Sequence, residues 1–149
     1  MDRWAFFLQH PKGSEMKDAI VEAIKAEIES EFHRPTLIMG DFNAVPGSLR
    51  SVKGMLDTNQ WIDVGACASW WGGEDGTPTC QTRPQAKPTR IDGVLANNMA
   101  IPLIRGFQVE KDEEIPTHAV LQLKLERETE QRGKDVREET SIVEDPIRP

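Results

Sequence analysis

The sequence predicts a mixed α/β (α+β) fold, and three stretches of the chain carry that prediction. Between Ser14 and Phe32, apolar residues recur every four positions, as they do on the buried face of an amphipathic helix. Residues 36–39 form a short apolar run that is typical of a buried strand. Residues 119–125 alternate between apolar and polar side chains, which indicates a strand with one buried face. The helix is therefore expected to pack on a sheet.

The composition is that of one domain followed by a polar tail. A chain of 149 residues is long enough for one domain with a real core, but not clearly for two. Residues 127–149 carry five basic and seven acidic side chains and few apolar ones, so they lack the means to form a core. We expect a partial domain over residues 1–126 and a disordered tail over residues 127–149.

The charge, the N-terminus and the cysteines limit the possible function classes. A net charge of −7 argues against a simple nucleic-acid-binding module, because such modules are usually basic. The sequence has no apolar run of membrane-span length and no signal-peptide core, so we expect an intracellular protein of the cytoplasm or nucleus without a membrane partner. Cys67 and Cys80 form neither a disulfide framework nor a metal-site spacing, and both are expected to be buried free thiols.

The first two elements are an apolar strand and a long helix. Residues 4–9 predict a strand buried on both faces, which needs neighbouring strands and suggests the later part of a larger fold. Ser14 is a suitable N-cap for the helix that follows. The charged face of this helix, which includes Asp18 and Glu22, is expected to be a solvated surface.

The central strand, residues 36–39, ends at Gly40, and two polar side chains follow at once. Asp41 could bind a metal ion or accept a proton, and Asn43 could donate a hydrogen bond to a phosphate oxygen. In an extended chain these two side chains would point to the same side. The alternative is an ordinary Asp-Asn turn with no catalytic role.

The next stretch predicts a helix, a short strand and a long loop. Ser48 could cap a helix from Leu49 to about Thr58, and residues 61–64 suggest a short strand. Asp63 is expected to act as a local cap or to form a salt bridge. Glycine and proline residues throughout residues 65–90 predict an irregular loop.

The predicted loop contains aromatic and basic side chains. Trp70 and Trp71 could stack on nucleic-acid bases, although at least one of them could instead plug the edge of the core. Arg83, Lys87 and Arg90 form a basic stripe without an intervening acid, which could contact phosphate groups or simply be a surface loop.

Asp92 is an acid inside an apolar strand predicted over residues 90–96. A buried carboxylate costs several kcal/mol unless another group compensates its charge. The candidates are a salt bridge to Arg90 or Arg105, or a hydrogen bond to a histidine. A further strand is predicted over residues 104–110, and His118 stands at the start of the last strand, where a histidine usually has a structural role.

Three motifs in this order resemble the endonuclease/exonuclease/phosphatase superfamily, the exonuclease-III-like metal-dependent phosphodiesterases. They are Gly40–Asn43 (Gly-Asp-Phe-Asn), Arg90–Asp92 (Arg-Ile-Asp) and a histidine, His118, that opens a terminal strand. The helix before Gly40 and the tryptophan pair are also similar to the family. The resemblance covers about residues 4–126 and implies the second half of a four-layer, two-sheet sandwich with outer helices.

The resemblance also implies roles for individual residues. Asp41 would orient or deprotonate the attacking water and bind Mg²⁺ or Mn²⁺, and Asn43 would donate to the phosphate. His118 would hydrogen-bond a phosphoryl oxygen, with its ring held by Asp92. A nucleic acid or another phosphodiester is the implied substrate, and the tryptophan pair and the basic stripe favour DNA. Its contacts are expected from one aromatic pair and three basic residues: Trp70, Trp71, Arg83, Lys87 and Arg90.

The sequence departs from the family pattern in three ways. No segment corresponds to the family's first half, which supplies an Asn and a metal-binding Glu. Thr117 stands where the family usually has an acid, and the chain has no tyrosine for the catalytic position that several members use. Two hypotheses follow: a C-terminal half of a repair-type or retroelement-type DNA nuclease, completed by the missing N-terminal half or a homodimer mate, or an inactive remnant or interaction module.

Overall fold

The structure is a computed structural model that describes residues 14–29, 34–115 and 117–126. The predicted first strand and the predicted tail lie outside the described residues, so the boundaries of the domain stay a prediction. The described part combines helices with strands, which confirms the predicted mixed class. Its elements are α1 (Ser14–Glu29), β1 (Leu37–Asp41), α2 (Arg50–Asp57), β2 (Trp61–Asp63), β3 (Asp92–Asn97), β4 (Ile104–Lys111) and β5 (Ala119–Leu125).

The five strands form two antiparallel sheets. The first sheet has the order β1-β3-β2, and the second consists of β4 and β5. In the first sheet, the last residue of β1, Asp41, pairs with the first residue of β3, Asp92. Antiparallel pairing therefore brings the end of β1 and the start of β3 to the same corner of the sheet.

Strand β3 is buried on both faces and joins two hydrophobic clusters. Leu95 packs with α1 and α2 residues on one side, and its neighbours Val94 and Ala96 pack against the second sheet on the other. Side chains alternate between the faces of a strand, so this strand lies at the centre of the sandwich. Neither helix among the described residues has both the length and the apolar character needed to cross a membrane.

The start of α2 is capped by a residue of α1. A carboxylate oxygen of Asp18 accepts hydrogen bonds from the Ser51 backbone N–H at 2.9 Å and from its hydroxyl at 2.6 Å. These bonds hold the pKa of Asp18 below its usual value. The prediction that Asp18 belongs to a solvated face was wrong, and so was the predicted Ser48 cap, because Ser48 donates its hydroxyl to Val45 instead.

Part of the predicted loop is helical. Residues Val64–Trp71 form 3-10 helix with a kink at Cys67, and the segment ends at Gly72, which adopts the left-handed conformation with φ 82°. A Cβ atom on Gly73 would lie 2.5 Å from the backbone oxygen of Phe107. The two glycines are thus needed to end the helix and to let the chain pass close to β4.

A short extended segment within the remaining loop connects the two sheets. The Thr79 carbonyl accepts the Ala119 N–H at 2.6 Å, and the Gln81 N–H donates to the Thr117 carbonyl at 2.9 Å. On its other side, Cys80 exchanges two backbone hydrogen bonds, each 2.9 Å long, with Thr89. This segment, residues 79–81, fixes the start of β5 relative to the chain that leads into β3.

Candidate active site

Three polar side chains from different elements meet at the corner where β1 ends and β3 begins. Asp41 ends β1, Asp92 opens β3, and His118 directly precedes β5. One carboxylate oxygen of each acid and one ring nitrogen of His118 all lie within 4.8 Å of one another. The structure thus brings together three residues of which the first, Asp41, and the last, His118, are 77 positions apart in the chain.

The carboxylate of Asp92 has His118 as its hydrogen-bond partner. Its Oδ2 atom lies 2.9 Å from Nδ1 of the His118 ring. The two arginines considered as alternatives are engaged elsewhere: Arg90 pairs with Asp63 and Arg105 pairs with Glu126. The predicted hydrogen bond between Asp92 and a histidine is therefore present. Because a carboxylate only accepts hydrogen bonds, this contact assigns the Nδ1 proton to His118.

Thr79 holds the backbone on which Asp92 sits. Its hydroxyl oxygen accepts the N–H groups of Ile91 at 3.1 Å and Asp92 at 2.9 Å. Thr79 is only 2% exposed, so these two donors would find no water if the hydroxyl were removed. The carbonyl of the same residue holds the start of β5 through Ala119. No pattern in the sequence indicates this role, since one threonine in a loop has many possible partners.

Asp41 and Asn43 are connected through the backbone. The Asn43 N–H donates to Oδ1 of Asp41 at 2.7 Å, and Asn43 adopts a left-handed conformation with φ 50°. The expectation that an extended chain points both side chains to one side was wrong, because the chain turns directly after β1. The turn predicted as the alternative is present, and it fixes the Asp41 carboxylate at the site.

Cys80, like Thr79, lies at this site although the sequence analysis did not predict it there. It was predicted only as a buried free thiol, and the structure confirms both its burial and its free state. Its Sγ atom lies 3.9 Å from Nε2 of His118. Burial, and to a smaller extent the charges of Asp92 and Asp41, raises the pKa of the Cys80 thiol.

The two tryptophans divide between the two predicted environments. Trp70 is 66% exposed, whereas Trp71 is partly buried and packs against the second hydrophobic cluster. Their ring centroids are 5.6 Å apart. Trp71 therefore supports the core, and Trp70 presents an aromatic surface to solvent. Substrate binding by either residue stays a prediction.

The basic stripe also divides into two parts. Arg83 and Lys87 are exposed on a loop that the Gln81 side chain organises by donating to the carbonyls of Pro84 and Ala86 at 3.0 and 3.1 Å. Arg90 is different, because its guanidinium binds both carboxylate oxygens of Asp63 at 2.9 and 2.7 Å.

The pair between Asp63 and Arg90 is buried, with side chains only 5% and 11% exposed. The local salt bridge expected for Asp63 is therefore present. The prediction that Arg90 contacts substrate did not anticipate this pairing, and the structure offers it no support. Substrate contacts by Arg83 and Lys87 stay predictions.

The cluster has donors that suit a hard divalent cation. Asp41 and Asp92 face each other across paired strands, and two neighbouring carboxylates repel unless a positive charge lies between or beside them. Mg²⁺ is commonly bound by one or two carboxylates together with water and substrate phosphate. Asp41 and Asp92 fit that pattern. Asp41 is the better candidate for a metal ligand, because one oxygen of Asp92 already accepts a hydrogen bond from His118.

The fold and the site define a class: two-sheet α/β proteins with an acid–histidine cluster where the sheets meet. The family comparison is consistent with that class. The model of the Endonuclease/Exonuclease/phosphatase family matches residues 9–110, which is more than half of the chain. The chain belongs to this family. No curated protein sequence matches it significantly.

Solved structures with a similar fold include two bacterial proteins. A functionally unknown conserved protein from Enterococcus faecalis has 18% sequence identity and a TM-score of 0.58, with 82% of this chain and 50% of that chain covered. A 3′ phosphatase from Neisseria, bound to a product DNA hairpin, has 17% identity and a TM-score of 0.57, with 74% and 52% covered. The chain thus spans about half the length of these structures.

Proposed function

We propose that this chain carries the catalytic corner of a metal-dependent phosphodiesterase that hydrolyses DNA. The observation that carries the proposal is the position of the Asp41 carboxylate beside the hydrogen-bonded pair of Asp92 and His118. Membership of the Endonuclease/Exonuclease/phosphatase family supports the reaction class.

The reaction is the in-line attack of water on a phosphodiester. Asp41 orients the water and accepts its proton, with the carboxylate held in place by the Asn43 N–H. Asn43 lies next to this carboxylate, and its amide donates to a non-bridging phosphate oxygen. Because the Asn43 N–H holds the Asp41 carboxylate before substrate binds, this carboxylate needs little reorganisation during the reaction.

His118 stabilises the negative charge that develops on the phosphoryl group. Asp92 accepts a hydrogen bond from the Nδ1–H group, and an Nε2 atom that carries a proton donates a hydrogen bond to a phosphoryl oxygen. Asp92 also fixes the orientation of the ring. Thr79 positions Asp92 in turn through the backbone bonds described above.

A divalent cation, Mg²⁺ or Mn²⁺, would be held by Asp41 and would neutralise charge on the phosphate when bound. The oxygen donors at this corner support a hard ion. The other metal ligands that the family uses belong to its first half, and Thr117 replaces one acid in the second half. We propose that the missing N-terminal half, or a homodimer mate, supplies the remaining ligands.

DNA is the proposed substrate among the phosphodiesters. Trp70 offers an exposed ring for base stacking, and Arg83 and Lys87 offer cations for the flanking phosphates. The similar fold of the DNA-bound Neisseria phosphatase agrees with this choice. We further propose a repair-type or retroelement-type nuclease in a reducing intracellular compartment, which suits the two free cysteines.

The second candidate is an inactive interaction module of the same fold. The specific observations that favour it are Thr117 in place of the family's acid and the lack of tyrosine in the sequence. Fold and activity are separate properties, so a chain can keep one without the other.

One experiment distinguishes these candidates. The full chain is assayed with Mg²⁺ or Mn²⁺ on a model phosphodiester, on plasmid DNA and on DNA with abasic sites. The tested variants are Asp41→Ala and His118→Ala, and the matched control is Asp57→Ala, an exposed acid that pairs only with Lys53 on α2 among the described contacts. Hydrolysis by the wild type and the control, lost in both tested variants, supports the enzyme. Equal, background rates in all four proteins support the inactive module.

A further inference from the structure

The loop that carries two of the basic side chains, residues 82–88, is closed at its base and at its tip. At the base, Cys80 and Thr89 exchange two backbone hydrogen bonds, each 2.9 Å long. At the tip, the Ala86 N–H donates to the Arg83 carbonyl at 2.9 Å, which closes a turn of four residues. This basic loop is therefore a closed turn and not an open connection.

The side chain of Gln81 joins the two halves of the basic loop. Its Nε2 atom donates to the Pro84 carbonyl at 3.0 Å and to the Ala86 carbonyl at 3.1 Å. A glutamine amide has two N–H donors, so the loop uses both of them. Proline supplies no N–H group, so Pro84 and Pro88 leave the loop with fewer backbone donors of its own. The Gln81 amide provides the donors that two of the loop carbonyls need.

The sequence also restricts the backbone of the two cations. Arg83 precedes Pro84, and Lys87 precedes Pro88. A residue before a proline is confined largely to extended conformations. Both cations are exposed, and neither forms an ion pair with another residue in the described part of the chain. The basic loop thus presents two positive charges to solvent on a backbone with little conformational freedom.

The basic loop begins beside the ring of His118. The Gln81 N–H donates to the Thr117 carbonyl at 2.9 Å, and Gln81 and Pro88 line the same cavity as His118. Arg83 is two residues after Gln81, so their Cα atoms are at most about 7 Å apart. Successive phosphates of one DNA strand are separated by about 3.4 Å along the duplex axis. The phosphates next to one held at His118 are therefore within reach of Arg83.

We propose that Gln81 is a positioning residue that holds Arg83 and Lys87 in place for the phosphates flanking the one at His118. The inference rests on the proposed function, because it requires a nucleic acid as the substrate. A cation that is ordered before binding loses less entropy on binding than a mobile one, and this difference is worth about two- to tenfold in affinity. Gln81 acts through the two cations and does not contact the substrate itself.

The test compares Gln81→Met with the matched control Gln85→Met. Both changes replace an amide with a thioether of similar length, but Gln85 is exposed in the basic loop and makes no side-chain hydrogen bond to another described residue. Binding of a fluorescent DNA duplex to the full chain is measured by anisotropy with a chelator present, so that no metal-dependent hydrolysis occurs. We expect Gln81→Met to weaken binding by about two- to tenfold and Gln85→Met to leave it unchanged.

A double-variant cycle separates positioning from a general structural effect. In a background that already carries Arg83→Ala and Lys87→Ala, Gln81→Met should no longer weaken binding, because the groups through which it acts are gone. The rate on a small model phosphodiester without flanking phosphates should be the same in wild type and Gln81→Met. An equal loss of DNA affinity in both backgrounds, or a loss of rate on the small substrate, would overturn the proposal.

Hydrogen exchange tests the order of the basic loop without DNA. We expect the Ala86 amide to exchange faster in Gln81→Met than in the wild type, and equal rates would contradict the proposal. If the wild type binds DNA and Gln81→Met binds it equally well, the positioning role alone is wrong. If the wild type binds no DNA, the proposed function and the inference are both wrong. The two failures are therefore distinguishable.

Discussion

Two carboxylates of the first sheet are each paired with a basic side chain, yet the two pairs are built differently. Asp63 receives two hydrogen bonds from the rigid Arg90 guanidinium, and both side chains are almost fully buried. Asp92 uses one oxygen for one ring nitrogen of His118, whose side chain is 36% exposed. The first pair leaves little capacity for another partner, whereas the second leaves an oxygen and a ring nitrogen available for one.

This difference separates a closed pair, Asp63 with Arg90, from an open pair, Asp92 with His118. A closed, bidentate pair satisfies its own hydrogen-bonding capacity and contributes to a defined fold. An open pair beside a third acid, Asp41, retains donors and acceptors that a phosphate, a water or a metal ion can use. Four predictions test this contrast, beginning with the largest expected effect.

The open pair should control activity and affect stability less than the closed pair does, because the Asp92 side chain is 15% exposed and that of Asp63 only 5%. His118→Ala is expected to lower the rate of DNA hydrolysis by about 10²- to 10⁴-fold, because the phosphoryl oxygen loses its hydrogen-bond donor. The melting temperature should fall less than it does for Arg90→Met, because more solvent reaches Asp92 than Asp63 when each loses its partner. Initial rates and thermal unfolding measured on the same preparation test both parts, and a large loss of stability would contradict the contrast.

The closed pair should show the opposite behaviour. Arg90→Met leaves Asp63 charged and buried without a partner, which is expected to lower the free energy of unfolding by about 3–5 kcal/mol. Urea denaturation measures this change. The double variant Asp63→Leu with Arg90→Met should recover most of the stability, because it removes both charges. If Arg90→Met is as stable as the wild type, Arg90 is available for substrate as the sequence first suggested.

Thr79 connects structure to activity, so its removal should affect both. Thr79→Val has nearly the same shape but removes the oxygen that accepts two backbone N–H groups. The expected loss in the free energy of unfolding is about 1–3 kcal/mol. Thr79→Ser keeps the hydroxyl and should recover most of the stability and of the hydrolysis rate. Equal behaviour of the valine and serine variants would show that the hydroxyl has no positioning role.

The smallest effect is expected at Asp18, far from either pair. Asp18→Ala removes the cap of α2 and should cost about 1 kcal/mol at neutral pH. The folded-state pKa of Asp18 lies below its unfolded value, so its contribution is complete above the unfolded pKa and is lost as pH falls through the folded pKa. The difference between wild type and variant should therefore shrink in acid. Unfolding curves at neutral and acidic pH measure it, and a constant difference would contradict the cap.

Strong local patterns allowed much of the fold to be predicted. The four-residue repeat before residue 29 predicted α1, and short apolar or alternating runs predicted β1, β3, β4 and β5. The helical segment after Asp63 was missed because the glycines and prolines within residues 65–90 predicted an irregular loop. The Asp18 cap was missed because a carboxylate on a charged helix face looks the same with or without a partner on another helix.

The candidate site was predictable only in part. Asp41, Asp92 and His118 each lie at the end or start of a strand, and an acid at the start of an otherwise buried strand, Asp92, required a partner. Thr79 and Cys80 could not be found in this way, because their roles depend on which strands lie beside residues 79–81. The same limit explains Arg90, whose sequence neighbours do not reveal that it pairs with Asp63.

The segment formed by residues 79–81 has a consequence for the time course of folding. The corner that contains Asp41, Asp92 and His118 exists only after both sheets have formed and this segment has bound β5 to the chain before β3. Contacts between residues so far apart in sequence require the closure of long loops and tend to form late. During refolding, helical signal and the burial of the first hydrophobic cluster should therefore appear before metal binding and hydrolysis. A chain refolded only in part would bury much of its first hydrophobic cluster before the corner of Asp41, Asp92 and His118 has formed.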